Sequence, residues 1–492
     1  MNFVKNSAFS LIMNFSQRIS GFILNIFLAN ALATKTFGLY ALVQRFSETS
    51  SNFFRFGGFE TSTQIRTAQE EKDIQSKIFL SALCFRLSIC IPLGILFILF
   101  PDFIASEIFF QPTIKRYIPL IGIYAVANSL YKLLESFLMG KNKFNTVSKI
   151  NVSSSIIFLF VIVLFAYKFS LVGALVAMTL QQIYLLILFG IQAIFLLKRN
   201  GLSNIQFPIF TSQELKNHLK LSLPGYIPLL ISIPVTVFLL NMIITFEDTD
   251  GLANLRIIQT LSIFVQAMPF AILPVFQTYF SKTFKQNNEL SSKFLMINFK
   301  IIFLVGCILG LLSDSIMPLI IGYGFGGDYV QVISYFSIFL IVCLFHNQFN
   351  LLQSSIISAG KVKPSVFITL LRFIIFFLGG LFLIPKLGLL GYFFAELVSV
   401  LISLIIAVQV ITKSIFYIRI RELLFALLYL MSIFLIGVTL FIFILPIGER
   451  VIIGVLLSFI LILISWYRLF SPDEKDQMIL VFKNLKKNLT QQ

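Results

Sequence analysis

Apolar runs of about 20 residues recur from one end of this chain to the other, the length at which a helix crosses a hydrocarbon core of about 30 Å. Fourteen such runs are read, at approximately 8–32, 38–64, 78–100, 117–139, 150–167, 171–197, 219–245, 252–279, 296–321, 330–358, 364–384, 389–411, 422–445 and 451–470. A soluble fold of 492 residues could not hide them, because 58% of residues are hydrophobic and only 12% are charged. In lipid every backbone amide must be satisfied within its own segment, so the expected fold is all-α and transmembrane. The first run contains Arg18 and lacks a small-residue cleavage site, so it reads as a retained helix. Cys84, Cys90, Cys307 and Cys343 all lie inside apolar runs and read as buried thiols, without disulfide or metal spacing. Trp466, at the end of the last run, reads as an interfacial anchor.

The net charge of +17 punctuates the runs and forms no continuous patch, which argues against nucleic acid as a partner. One set of alternate loops holds Arg66, Lys72, Lys77, Lys141, Lys143, Lys149, Lys198, Arg199, Lys216, Lys220, Lys282, Lys285, Lys293, Lys361, Lys363, Lys413, Arg419 and Arg421. Lys5 and the tail lysines Lys475, Lys483, Lys486 and Lys487 join this side. The opposite set holds Lys35, Lys115, Arg116, Lys168, Lys386 and Arg450, with Glu247, Asp248, Asp250 and Asp328 among them. By the positive-inside rule both termini are expected in the cytoplasm, which an even number of spans also requires. The outer loops are too short for an external catalytic domain, and neither His218 nor His346 has an evident catalytic partner.

The chain also repeats itself at a spacing of about 215 residues. Phe137-Leu-Met-Gly140-Lys-Asn-Lys, a span, then Phe169-Ser-Leu-Val-Gly173-Ala answers to Ile357-Ser-Ala-Gly360-Lys-Val-Lys363-Pro, a span, then Lys386-Leu-Gly388-Leu-Leu-Gly391. Phe37-Gly-Leu-Tyr-Ala41 likewise answers to Asp250-Gly-Leu-Ala253. Six spans separate the copies, so both halves run the same way through the bilayer. The expected organisation is a six-helix lobe over 1–200, a second over 201–415, two further spans over 416–470 and a cytoplasmic tail over 471–492. Parallel lobes around a midplane cavity are the plan of an alternating-access carrier.

Leu28-Ala-Asn-Ala-Leu-Ala-Thr-Lys-Thr-Phe-Gly-Leu-Tyr-Ala-Leu42 resembles the junction of spans 1 and 2 in the polysaccharide-repeat flippases of the O-antigen (Wzx) type. These belong to the superfamily of the MATE drug exporters and the lipid II flippases. Leu221-Ser-Leu-Pro-Gly-Tyr226, Ile316-Met-Pro-Leu-Ile-Ile-Gly-Tyr-Gly-Phe-Gly-Gly-Asp328 and the Gly360-Lys-Val-Lys unit are similar to that family in the same order, over most of the first 410 residues. The chain departs from it in span 7, where Val235 to Asn241 replaces a stretch that often holds an acidic residue. The resemblance implies a MATE/flippase-like fold and a polyprenyl-linked substrate. Arginines in spans 1, 2 and 8 are features of the lipid II flippases, and Arg18, Arg55 and Arg256 are the nearest positions here.

Ionisable residues inside the spans bear most directly on function. A basic side chain at mid-helix costs about 2.5–3.5 kcal/mol on insertion scales, so these residues should face a wet cavity or a partner. Arg45, Glu48, Asn52 and Arg55 fall at steps of 3, 4 and 3 on one helix face. Ser10, Asn14, Arg18, Gly21 and Asn25 repeat that rhythm in span 1, and Arg256, Gln259 and Gln266 extend it in span 8. Arg45 with Glu48, Lys132 with Glu135, and Arg372 with Glu396 could each neutralise one another. Lys300 lies near the cytoplasmic end of its span, where it can snorkel. Arg18, Arg55, Arg86 and Arg256 have no such partner in sequence and are read as binders of an anionic headgroup, since a guanidinium matches phosphate oxygens bidentately. Glu60 and Glu396 are the candidates for coupling to an ion. Pro224, Pro228 and Pro234 break helical hydrogen bonds in span 7, as either a gate or a static packing kink.

Excess positive charge in the interior favours an anionic cargo. The expected function is a flippase in a bacterial plasma membrane, moving a polyprenyl-diphosphate-linked oligosaccharide such as an O-antigen or capsule repeat unit. The diphosphate would lie on arginines, the sugars in the polar cavity and the tail in membrane lipid. Neither a cofactor nor a metal is expected, and other polysaccharide assembly proteins are possible partners. Two other readings share this envelope: a MATE-like H⁺- or Na⁺-coupled exporter of small organic cations, and a polytopic polysaccharide polymerase or ligase.

Overall fold

A computed structural model describes residues 3–55, 59–69, 72–199, 212–263, 265–266, 288–325, 331–415, 420–443, 446–472 and 474–475, together with positions 273, 276, 280, 284 and 329. The described residues are almost entirely helical and contain no strand. Along the chain run α1 (Phe3–Ala31), α2 (Thr34–Phe54), α3 (Phe59–Gln69), α4 (Lys72–Leu99) and α5 (Ile118–Gly140). The continuous run Phe144–Arg199 is two helices, α6 over 144–169 and α7 over 171–199, broken where Ser170 takes φ 52°, ψ −141°. Ser212–Leu261 is likewise α8 over 212–247 and α9 over 249–261, broken at Asp248 with φ 57°, ψ −165°. There follow α10 (Asn288–Leu319), α11 (Gln331–Ser358), α12 (Val362–Leu387), α13 (Leu389–Ser414), α14 (Ile420–Phe443) and α15 (Ile447–Arg468).

Ten helical segments are long and apolar enough to cross a membrane, and one of them, Phe144–Lys198, holds two of the spans read from sequence. The spans read at 8–32 and 38–64 are not among the ten; their described residues lie in the helices α1, α2 and α3. The chain is a multi-pass, all-α membrane protein.

The internal repeat is written into the backbone at a register of 218 residues. Asn142 (φ 59°) and Gly360 (φ 77°) end α5 and α11 in the left-handed conformation. Each turn is closed by the same pair of hydrogen bonds: Lys143 N–H to Leu138 O and Asn142 N–H to Met139 O in the first, Lys361 N–H to Ile356 O and Gly360 N–H to Ile357 O in the second. Ser170 and Gly388 are again 218 apart, and both have positive φ. Gly173 and Gly391 complete the set: a Cβ at Gly173 would lie 2.1 Å from Phe165 O, and one at Gly391 2.2 Å from Leu383 O. The register therefore pairs Asn142, and not Gly140, with Gly360, two residues from the match suggested by the Gly-Lys motif.

The chain forms two compact units, Met1–Thr260 with Thr369–Glu396, and Leu261–Ile368 with Leu397–Gln492. Within the first unit, Phe59, Phe79, Tyr131, Leu133, Phe137 and Phe189 build a buried cluster in which Phe79 stacks on Phe137 at 4.2 Å. Lipid supplies no hydrophobic drive between helices, so close backbone approach has to hold them together. The approach of α4 to α5 shows how: a Cβ on Gly94 would lie 2.6 Å from Val126 and one on Gly122 2.6 Å from Phe97. Three cysteines are buried in the protein, as their sequence context suggests. Cys84 is exposed, because it lies on the opposite face of α4 from the buried Phe79, Ala82, Arg86 and Cys90.

Candidate functional site

The first unit holds a partly open cavity of about 400 Å³. Its wall takes Gln17, Ser20, Gly21, Leu24 and Asn25 from α1, and Tyr40, Gln44 and Glu48 from α2. Steps of three and four residues place each set on a single helix face. Tyr124 and Tyr131 of α5, Ser155, Phe158, Leu159 and Ile162 of α6, Met178, Gln181, Gln182 and Leu185 of α7, and Arg256 of α9 complete it. Arg256 Nε donates to Asn25 Oδ1 at 3.4 Å, and Asn25 Nδ2 donates to Gly21 O at 2.9 Å. Gln44 Nε2 donates to Glu48 Oε1 at 3.2 Å, while Arg45 Nη1 lies 3.6 Å from Glu48 Oε2. The other end of that amide, Gln44 Oε1, is buried without a hydrogen-bond donor.

A second constellation lies where α2, α3 and α4 meet. Glu60 stands in the first turn of α3, where a helix N-terminus favours a carboxylate. Its Oε1 is 3.0 Å from Arg55 Nε and 3.0 Å from Arg86 Nη1. Arg55 Nη1 also donates to Asn52 Oδ1 at 3.3 Å, and Arg86 Nη1 to Ser129 Oγ at 2.8 Å. Arg86 is 1% exposed, and its Nη2 has no hydrogen-bond partner. Two guanidiniums on one carboxylate leave a net charge of +1. Arg55 and Arg86, read from sequence as having no partner, are therefore paired. The partner was hidden because it follows the break between α2 and α3 and reaches across to α4.

Lys132 of α5 pairs with Glu135 at 2.7 Å, and Glu135 Oε1 accepts Asn151 Nδ2 at 2.7 Å. Asn151 Oδ1 in turn accepts Gln17 Nε2 at 3.0 Å, which links this ion pair to the cavity wall. On the other side Ser51 Oγ donates to Asn128 Oδ1, and Asn128 Nδ2 donates to Gln182 Oε1 at 3.0 Å. These chains hold the wall amides in fixed orientations.

Of the remaining residues singled out in sequence, Arg18 and Asn14 are partly buried on α1 outside the cavity wall. Arg45, Arg256 and Gln259 line a small neighbouring space with Tyr392. Gln266, in the second unit, donates to Cys343 Sγ at 3.1 Å. Arg372 and Glu396 pair at 3.7 Å. Pro234 is exposed on α8, and the side chains of Pro224 and Pro228 lie outside the described residues. His218 is buried between Ser62 Oγ (2.9 Å from Nδ1) and Ser81 Oγ (3.4 Å from Nε2), and stacks on Phe59. Lys300, expected to snorkel, is 4% exposed and paired with Glu474, which lies far beyond the reach of a sequence-local reading. Sequence reading singled out Asn25, Glu48 and Arg256 of this wall but missed its glutamines Gln17, Gln44, Gln181 and Gln182, which fall off the charged stripes that drew attention to the spans. Among the described residues, no group of three or more His, Cys, Asp or Glu side chains is placed to hold a metal ion.

The family profile described as polysaccharide biosynthesis protein matches residues 3–284. No curated protein matches by sequence. The lipid II flippase MurJ, solved in an inward closed conformation, is similar in fold: TM-score 0.70 at 16% identity, covering 94% of this chain and 99% of that one. An inward-facing multidrug resistance MATE family transporter of the MOP superfamily gives a TM-score of 0.63 at 14% identity, over 86% of this chain and 98% of its own. The MATE multidrug transporter DinF-BH gives 0.63 at 14%, over 84% and 96%.

Proposed function

This chain belongs to the polysaccharide biosynthesis protein family, and on that premise we propose that it is a flippase for a polyprenyl-diphosphate-linked oligosaccharide, an O-antigen or capsule repeat unit. It works in a bacterial plasma membrane with both termini in the cytoplasm, by alternating access between lobes spanning 1–200 and 201–415. It catalyses no bond chemistry. The observation that carries this reading is the sign of the buried charge: two arginines share one carboxylate at Glu60, and Arg256 stands in the cavity wall. A carrier of organic cations needs uncompensated carboxylates along its path, whereas Glu48, Glu60 and Glu396 of the first unit each lie against an arginine.

Arg18, Arg55 and Arg256 then serve the diphosphate. Arg86, too buried to touch a ligand, holds Glu60, and Glu60 holds the Arg55 guanidinium by its Nε. Bidentate contact with phosphate oxygens remains open to the Nη groups of a guanidinium held in this way. Polysaccharide on the surface of cells carrying Arg18→Ala or Arg55→Ala tests the proposal. Both variants should insert at normal levels, lose surface polysaccharide and accumulate lipid-linked oligosaccharide on the cytoplasmic side. Full surface polysaccharide in both variants would overturn the cationic headgroup site.

A further inference from the structure

We propose that Phe109 is an outer gate of this carrier: a wedge seated among α2, α4 and α8, latched by Asn241, that has to withdraw before cargo can leave on the outer side. The inference rests on the alternating-access reading above and not on the identity of the cargo. With both termini in the cytoplasm, as proposed there, the segment joining α4 to α5 lies on the outer side.

The sequence of that segment explains how one ring comes to point inward. After Phe100-Pro101 the chain winds into a π-helical turn, Ile104–Ile108, in which Phe109 N–H donates to Ile104 O at 3.0 Å. Such turns are rare and recur at functional sites. Phe110 then takes φ 55°, a conformation that bulky side chains seldom adopt. Two neighbouring phenylalanines are parted as a result: Phe110 is 58% exposed and Phe109 only 3%. The chain returns through a 3₁₀ turn, Pro112–Tyr117, from which Lys115 pairs with Asp102 at 2.6 Å and joins the two ends of the segment.

The contacts of Phe109 cross the seam between the two repeats. Its ring stacks on Phe46 of α2 at 4.2 Å, with 7° between the planes, and meets Phe97 of α4 edge-on at 6.3 Å. Its carbonyl accepts Asn241 Nδ2 of α8 at 2.6 Å. Helix α2 belongs to the lobe read over 1–200 and α8 to the lobe read over 201–415, so alternating access has to part them. Phe46 lies on the face of α2 turned away from Tyr40, Gln44 and Glu48, which line the cavity. The wedge therefore braces the cavity wall from behind. Further along the same seam Thr249 O meets Gly38, where a Cβ would lie 2.0 Å away. Between Gly38 and Phe46 α2 advances about 12 Å, and the seam is closed at both ends of that stretch.

The closed state also carries opposing terms. Asn241 Oδ1 is buried without a hydrogen-bond donor, and a buried orphan acceptor favours withdrawal into a wetter setting. The left-handed Phe110 stores strain on the same side of the balance. Stacking and one hydrogen bond set against an orphan acceptor and a strained residue make a two-state element, as a gate requires. The second repeat carries a like construction in Pro318, the π-helical turn Ile320–Phe325 and Phe325, 2% exposed. The outer segment thus belongs to the plan of the repeat.

The test uses the full-length protein with Cys84→Ser and a reporter, Gln181→Cys, in the cavity wall on α7, away from the wedge. Cys90, Cys307 and Cys343 are buried, and the same chain without the reporter corrects for them. A membrane-impermeant maleimide reaches the outer side in spheroplasts and the cytoplasmic side in inverted vesicles. With the wedge seated, labelling should be fast from the cytoplasmic side and slow from outside. Asn241→Leu keeps the bulk and removes the donor; it should raise labelling from outside about tenfold and lower it from the cytoplasmic side, the population shift that one lost hydrogen bond can bring. Phe109→Ala should shift labelling in the same direction, and it keeps the test decisive if Asn241→Leu fails to insert. Phe100→Ala, at a residue 53% exposed on the same segment, should label as the wild type does. Wild-type labelling in both gate variants, inserted at normal levels, would overturn the proposal. So would an equal rise in Phe100→Ala, or a rise from both sides at once, which marks a leaking seal and not a gate. A reporter reached from neither side in any variant would overturn the alternating-access reading itself.

Discussion

Glu247 Oε1 accepts the backbone N–H of Leu389 at 2.7 Å, so the last residue of α8 caps the first turn of α13. A carboxylate at a helix N-terminus satisfies an orphan amide and complements the helix dipole. The contact is close because Gly388 leaves room for it: a Cβ there would lie 1.7 Å from Glu247 Oε1. Asp248 follows at once in its non-helical conformation, and the next residue, Thr249, presses its carbonyl against Gly38, where a Cβ would sit 2.0 Å away. Two glycines thus let the α8–α9 break meet both α2 and α13.

The two repeat-related turns should respond to substitution with opposite signs. Gly388 and Ser170 occupy equivalent positions, both with positive φ. That region is close to glycine-only and costs a side-chain-bearing residue about 1–3 kcal/mol. Ser170→Gly should raise stability by about 1 kcal/mol. Gly388→Ala adds a collision with Glu247 to the torsional strain and should lower stability by more than about 2 kcal/mol. Glu247→Ala should recover part of that loss, because it removes the collision but not the strain. Thermal unfolding in nanodiscs reads all three, and a Gly388→Ala loss that Glu247→Ala leaves untouched would place the effect in the torsion alone.

Glu60 should matter more to folding than either arginine on it. Arg86 is 1% exposed and has Ser129 as its other side-chain partner. Removing one member of a buried pair leaves an uncompensated charge, at about 3–5 kcal/mol. Glu60→Ala should therefore lower the unfolding temperature sharply. Arg86→Met in the same chain should restore much of the loss, because it withdraws the charge that was stranded. Arg55→Ala, in which Arg86 still answers Glu60, should leave stability nearly unchanged while abolishing transport. An equally large stability loss in Arg55→Ala would mean that its function and its folding role cannot be separated.

The pattern of what could be read from sequence follows from the reach of each interaction. The pairs Arg45–Glu48, Lys132–Glu135 and Arg372–Glu396 were legible and are present at 3.6, 2.7 and 3.7 Å. The first two lie within one helical turn, and the third joins spans that follow each other in the chain. The helical spans were legible because a hydrocarbon core fixes their length. Arg86–Glu60 and Lys300–Glu474 were not, since each depends on how separate helices pack, and sequence spacing carries no trace of that. The repeat was visible as motifs spaced by about 215 residues, whereas the backbone register is 218. The backbone instead pairs residues by conformation, and Asn142 can adopt the left-handed turn that glycine takes in the second half. Of the polar residues singled out in sequence, Asn25, Glu48 and Arg256 stand in the cavity wall, whereas its glutamines were not among them.

Lys300 supplies a last prediction, in the second unit. Its Nζ lies 2.8 and 2.9 Å from the two oxygens of Glu474 and 3.9 Å from Glu422 Oε2. Glu474 is fixed in turn by a reciprocal cap, with Ser471 N–H donating to its Oε2 at 2.8 Å and its own N–H donating to Ser471 Oγ at 3.3 Å. Lys475 lies 5.9 Å above the Trp466 ring, which packs on Phe470, so the turn after α15 is held from two sides. A lysine 4% exposed needs this carboxylate, because Glu422 alone is too distant for a hydrogen bond. Glu474→Ala should cost about 3 kcal/mol or more, and Lys300→Met considerably less. In the double variant the Glu474→Ala cost should largely vanish, leaving a coupling of about 2 kcal/mol or more in a double-mutant cycle. Additive losses from the two substitutions would show that the pair contributes nothing jointly, and that α10 is held to the turn after α15 by packing alone.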